Sequence, residues 1–277
     1  MNNEADILII LQWLLISNTL LVSTSFKGNP FMYQKQLAKD GEWLFKIRGN
    51  YLNSVVILSG VIAYFYSTVG PFESAANNQI WFWVSFAVAA SGALFRIQTS
   101  GHAALGTSGV TKDQAVASEL NTTGPYSIVR NPLYVGRILN FTGIAMLSGS
   151  WVFGALTFLI SVLVYERISV YEEEFIRGKF GDAHTDWAKT VPFLWPRFGG
   201  WTKPKYPFWI RRCIKREDKK VTLLFSSVVL CDFAVRGFEI ENLPENLTWY
   251  YIWAAVTVTY IIIRLIRLFT KTFDGIS

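Results

Sequence analysis

The chain has 277 residues, 51% of them hydrophobic and 16% aromatic, more apolar surface than one soluble core of this length needs. Its formal charge of +6 would suit a nucleic-acid partner if the cations formed one patch, but they fall between apolar runs, which excludes nucleic acid and points to a membrane surface. Two cysteines, Cys213 and Cys231, supply neither a disulfide framework nor a metal-ligand spacing.

Apolar runs of about 18 residues match the roughly 30 Å of hydrocarbon that a helix must cross. They predict an all-α integral membrane protein of about seven transmembrane helices, over 7–25, 51–69, 80–97, 133–148, 151–171, 221–240 and 249–269. The first run follows Glu4 and Asp6, lacks a basic leader and a cleavage site, and reads as a retained span. Between the third and fourth spans, the Gly-, Ser- and Thr-rich stretch 100–124 is too polar to cross and reads as a cytoplasmic loop or partial helix. Three regions result: N-terminal helices over 1–79, a core over 80–200, and a basic linker with two further spans over 201–277.

Basic residues alternate between connections. Lys27, Lys35, Lys39, Lys46 and Arg48 fill the first, Arg96, Lys112 and Arg130 the third, and 167–220 is rich in both types. The intervening connections carry Glu73, Glu241 and Glu245 with no Lys or Arg. By the positive-inside rule the N-terminus lies outside and the C-terminus in the cytoplasm, as in a bacterial inner-membrane protein. The basic stretch 203–220, interleaved with Tyr206, Phe208 and Trp209, then reads as a contact for anionic lipid headgroups. Asp232 and Arg236, four apart in the sixth span, predict an intramembrane ion pair.

The connection Ser148-Gly149-Ser150 is so short that spans four and five form an antiparallel hairpin. Counting back from Gly149 at equal rise puts Tyr134 at the depth of Tyr165, so 124–137 and 166–174 become neighbours. Together they pool cations, carboxylates and phenols: Tyr126, Arg130, Tyr134 and Arg137 with Glu166, Glu172 and Glu173.

These residues resemble the integral membrane methyltransferases that include isoprenylcysteine carboxyl methyltransferase and phospholipid N-methyltransferases. The pattern Gly-x-Tyr-x-x-x-Arg-His-Pro-x-Tyr-x-Gly is met by Gly124, Tyr126, Arg130, Asn131, Pro132, Tyr134 and Gly136. Glu172 and Glu173 match the pair that ends the hairpin helix, and Phe180, Gly181, His184, Trp187, Val191, Pro192 and Pro196 match the closing motif. Asn131 stands where the family carries His, and His184 where a Tyr is usual. An amide donates and accepts hydrogen bonds without taking a cationic form, so the role left to position 131 is positional.

The resemblance implies S-adenosylmethionine bound near the cytoplasmic ends of the hairpin helices, with no metal, and a lipid acceptor entering sideways. It assigns Tyr126, Arg130, Asn131, Tyr134, Gly136, Glu172 and Glu173 to the cofactor. Arg137 would steady an anionic acceptor, and Glu173 or Glu166 would deprotonate an amine. The acceptors it implies are a headgroup phosphate or amine, or a prenylcysteine carboxylate. Two other readings share the fold: an NADPH-dependent intramembrane sterol or lipid reductase, and a non-catalytic membrane protein. A phosphorylated nucleotide wants several converging Arg and Lys, whereas this motif is rich in Glu.

Overall fold

The structure is a computed structural model that describes residues 30–66, 68, 70–107 and 117–273. The expected span over 7–25, with Lys27 and Lys112, lies outside the described residues. Seven α-helices follow in order: α1 Pro30–Tyr66, α2 Ala75–His102, α3 Pro132–Met146, α4 Trp151–Phe180, α5 Asp182–Thr190, α6 Ile210–Val235 and α7 Thr248–Phe269. Among the described residues there is no strand, only an isolated bridge between Thr107 and Ala117.

Among the described residues three helices are long and apolar enough to cross a membrane: α2 with 28 residues, α4 with 30 and α7 with 22. The remaining expected spans differ for physical reasons. At 1.5 Å per residue, the 15 residues of α3 reach only about 22 Å, short of the hydrocarbon thickness. The expected first loop is helical from Pro30, because Pro suits a first turn and the Gln, Leu, Ala, Lys and Glu that follow are good helix formers. This merges the basic stretch and the apolar run from Tyr51 into one helix. Likewise α6 starts at Ile210, well before the apolar run, so its first half is charged. By contrast α4 runs about 45 Å, enough to carry Glu172 and Glu173 past the hydrocarbon.

Close helix contacts place the site. A Cβ on Gly136 of α3 would sit 2.7 Å from Gly92 O on α2, so only glycine lets the two backbones meet there. Asn140 Nδ2 then donates to Ala89 O at 3.0 Å across the same seam. The turn from α3 to α4 uses Gly149 at φ 84°, and Ser150 caps α4 by accepting from the Phe153 N–H. Tyr134 and Tyr165, which the register count puts at one depth, stack with centroids 5.0 Å apart. From α1, Tyr51 bonds Ser161 at 3.0 Å and Ser59 Oγ donates to Ile144 O at 3.2 Å.

The C-terminal helices pair through buried and half-buried polar contacts. Arg236 grips both oxygens of Asp232, the ion pair that their spacing predicts, and the Tyr250 hydroxyl donates to the same carboxylate at 2.8 Å. At the other end Arg267 meets Asp218 at 2.9 Å. The rest of α7 turns Ile261, Ile262, Leu265 and Leu268 outward, as a helix facing lipid does.

Candidate active site

Three strips of chain build the site: 124–131 leading into α3, the far end of α4, and α5 with the segment that follows it. Pro132 starts α3 and forces the preceding residue out of helical geometry, leaving Asn131 at φ −119° and ψ 57°. Asn131 therefore occupies the cap position without capping. Its amide donates instead to Glu173 Oε1 at 2.9 Å and to Phe193 O at 3.2 Å. The neighbouring Arg130 gives its N–H to Pro192 O at 2.9 Å, lays its guanidinium over the Phe193 ring, and brings Nε to 3.4 Å from the same Glu173 oxygen. One carboxylate thus ties α4 to both loop strips.

One turn into α3, Tyr134 is buried against Tyr165 and lines the same cleft as Glu172. These groups open onto a cleft whose empty space, counted together with the solvent at its mouth, is about 690 Å³. Tyr126, Arg130, Asn131, Tyr134, Glu172 and Glu173 line it, so six of the cofactor residues implied by the resemblance come together. His184, Trp187, Phe175, Ile176 and Leu120 complete the wall.

Several polar atoms there lack a hydrogen bond, Arg130 Nε keeping only its long ion-pair contact with Glu173. Arg130 Nε, both ring nitrogens of His184 and Trp187 Nε1 are buried and hydrogen-bonded to nothing among the described residues. Each unsatisfied buried polar group costs about 1–3 kcal/mol, so the cleft fits a ligand that brings acceptor atoms. Burial holds the His184 imidazole below its usual value, and Arg130 and Arg177 push the same way. The ring is therefore neutral near pH 7, with one nitrogen to donate and one to accept.

Three expected site residues lie elsewhere. Gly136 faces α2 and Arg96, where it serves helix packing, not ligand contact. Glu166 sits about 10 Å along α4 from Glu173, beside Arg167 at 4.0 Å, and does not line the cleft. Arg137 stands behind the cleft wall, 5.7 Å from the centroids of both Tyr134 and Tyr165.

Several residues of the basic linker also bond within the protein. Lys205 and Tyr206 both bind Glu119, Arg212 donates to Ala103 O and Ala104 O, and Arg216 donates to Thr107 O at 2.9 Å. Backbone bonds from Gly124 to Thr202 and from Lys205 to Thr123 Oγ1 complete a strap across the loop beside the cleft. Hydrogen bonds from Lys205 and Tyr206 hold the Glu119 carboxyl below its usual range. Lys203, Arg211 and Lys219 alone in this basic run are fully surface residues without such a bond to a distant strip.

Sequence reasoning missed Arg48 and Glu217. Arg48 comes from α1, where it donates to Phe45 O and lies over the Phe45 ring, with its charge near the Tyr134 and Glu172 side of the site. Glu217 on α6 takes a two-pronged grip from Arg96, at 2.9 and 2.8 Å, with Ser100 Oγ at 3.0 Å. Nothing in the spacing of either residue announces these meetings.

Residues 80–183 match the family model described as phospholipid methyltransferase, in keeping with the family that the motif resembles. The match covers less than half of the chain. Among curated proteins, the chain is 32% identical over 81 residues, 29% of its length, to the nickel-cobalt-cadmium resistance protein NccN of Alcaligenes xylosoxydans xylosoxydans, covering 38% of that protein. It is 32% identical over 78 residues, 28% of its length, to the cobalt-zinc-cadmium resistance protein CzcN of Cupriavidus metallidurans, covering 36% of it. The chain thus spans little more than a third of the length of either relative. No solved structure gives a significant match.

Proposed function

We propose that this chain transfers a methyl group from S-adenosylmethionine to a lipid acceptor held in the membrane, at its cytoplasmic face. The observation that carries the reading is the cleft itself: orphaned donors and two carboxylates converge within and beside the segment that matches the methyltransferase family. Arg130, His184 and Trp187 would hold the cofactor's carboxylate, Glu172 and Glu173 its ammonium and ribose hydroxyls, and Tyr126 and Tyr134 its sulfonium or adenine. When bound, the cofactor supplies an electrophilic methyl on a sulfonium. The protein's share is positioning in a dry site. Asn131 and Arg130 hold Glu173 in place, while Leu120, Phe175 and Ile176 keep water from the wall.

The alternation of Lys and Arg between connections supports an outer N-terminus and a cytoplasmic C-terminus, in a bacterial inner membrane. Lys203, Arg211 and Lys219, exposed on the strap, are the residues that would meet anionic headgroups. Metal resistance is the trait in the relatives' names and is said of those proteins alone.

Calorimetric titration of the detergent-solubilised protein with S-adenosylhomocysteine, beside NADPH, tests the proposal. Saturable binding of the first alone is expected. Binding of NADPH alone would make the chain a reductase, and binding of neither by folded protein would make it non-catalytic.

A further inference from the structure

The strap from Val191 to Arg211 carries Arg197, Lys203, Lys205 and Arg211 and no Asp or Glu. Between those cations large apolar side chains stand bare: Trp195 is 63% exposed and Phe198 75%, and Trp201, Trp209 and Ile210 are exposed as well. A surface in water rarely leaves so many bare in so short a stretch. Aromatic rings interleaved with cations fit the boundary between headgroups and hydrocarbon. The Trp195 ring also lies 6.3 Å from the ring of Phe158, two turns inside α4, one of the helices able to cross a membrane. Phe158 is about 22 Å back along α4 from Glu173, so the Trp195 ring stands well to the hydrocarbon side of the cleft's carboxylates. The backbone suits a shallower level. No residue from Val191 to Trp209 is α-helical, and irregular backbone does not face hydrocarbon with its polar groups unpaired. Pro192, Pro196, Pro204 and Pro207 have no N–H, and the N–H groups of Arg197, Thr202, Lys205 and Trp209 donate to the neighbouring strips.

We propose that the strap is an interfacial anchor whose partner is the lipid surface itself. Its backbone lies in the headgroup layer of the bilayer that the spans cross, Phe198 and Trp201 sit at the headgroup–acyl boundary, and the Trp195 ring dips into hydrocarbon beside Phe158. Backbone groups without a protein partner then meet headgroup oxygens and water. The same strap holds the cleft: Pro192 O accepts from the Arg130 N–H, Phe193 O from the Asn131 amide, and Thr202 O from the Gly124 N–H. Anchoring the strap therefore sets the cleft at headgroup depth, where the polar end of a membrane lipid reaches it without leaving the bilayer. Nothing in this anchoring involves the cofactor, so it stands or falls apart from the methyl-transfer reading.

Nitroxide labels on single cysteines test the anchor. Trp195→Cys, Phe198→Cys and Trp201→Cys are each made in the full-length protein, reconstituted into phosphatidylcholine–phosphatidylglycerol nanodiscs and labelled. Spin relaxation by oxygen, which concentrates in lipid, is compared with relaxation by a nickel chelate, which stays in water. Ile262→Cys on the outward face of α7 gives the lipid reference, and Asp186→Cys, at an exposed position of α5, the water reference. The wild type is the blank, since Cys213 and Cys231 are both buried. The labels replacing Phe198 and Trp201 should read about 5–10 Å into the bilayer, the depth at which amphipathic surfaces settle, and the label replacing Trp195 deeper. Phe198 is the most exposed of the three, so its label displaces little and its reading decides the matter should Trp195→Cys misfold. Readings equal to the water reference at Phe198 and Trp201 would overturn the anchor. So would shielding of both labels from oxygen and chelate alike with spin–spin broadening, the sign that a second copy of the chain covers the strap.

Discussion

The Asn131 amide reaches across to Glu173 Oε1 at 2.9 Å, joining the residue that opens α3 to the far end of α4. The contact explains how an amide can stand where the family carries an imidazole. What the position supplies is a donor aimed at a carboxylate, and an imidazole N–H supplies the same. Asn131→His should keep S-adenosylhomocysteine affinity within about threefold, whereas Asn131→Leu should weaken it roughly tenfold to a hundredfold, the worth of a hydrogen bond to a charged group at about 1.5–3 kcal/mol. Calorimetry on both variants checks this, and a silent Leu variant would remove Asn131 from the site.

Glu217 should matter to stability more than to ligand binding. Its carboxylate is 5% exposed and gripped by Arg96, also 5% exposed. Glu217→Ala leaves that guanidinium buried without its anion, a loss of about 3–5 kcal/mol. Thermal unfolding in detergent should show a markedly lower midpoint. Replacing both partners, with Arg96→Met and Glu217→Leu, should recover most of the loss, since a buried pair is often no better than well-packed apolar groups.

Gly136 gives a sharper test of its reassignment from ligand contact to packing. A methyl there meets Gly92 O and the Arg96 side chain, so Gly136→Ala should cost about 1–3 kcal/mol by overpacking. The folded fraction should still bind S-adenosylhomocysteine as the wild type does. Intact stability with lost binding would return Gly136 to the cofactor's contacts.

His184 should impose an acid-side limit. Burial, reinforced by Arg130 and Arg177, lowers its pKa in the folded protein below the ordinary 6.5. Between the two values the unfolded chain binds more protons, so stability rises with pH there and is lost as pH falls below about 6.5. Melting curves from pH 7.5 to 5 should show this slope, and His184→Gln should flatten it. Equal slopes in the two proteins would mean that another group controls the acid limit.

Much of the site was legible because the motif's residues lie close in sequence. The tight turn at Gly149 and equal rise along two helices were enough to bring Tyr134 to Tyr165, and the i, i+4 spacing was enough for Asp232 and Arg236. Helix lengths were less legible. A hydropathy run marks where a chain is apolar, not where its hydrogen bonding stops, so α1 and α6 extend through charged stretches that read as loops.

By itself the sequence determined the helical membrane class, the apolar runs and the clustering of Arg130, Asn131, Tyr134, Glu172 and Glu173, since periodicity, composition and short-range geometry all act within a few turns. Only the tertiary structure decided that Glu217 neutralises Arg96, that Gly136 packs and that the basic linker is a strap. Those partners come from elements as many as 121 residues apart. A buried charge takes whichever partner the packed helices bring to it, and no local pattern encodes that choice.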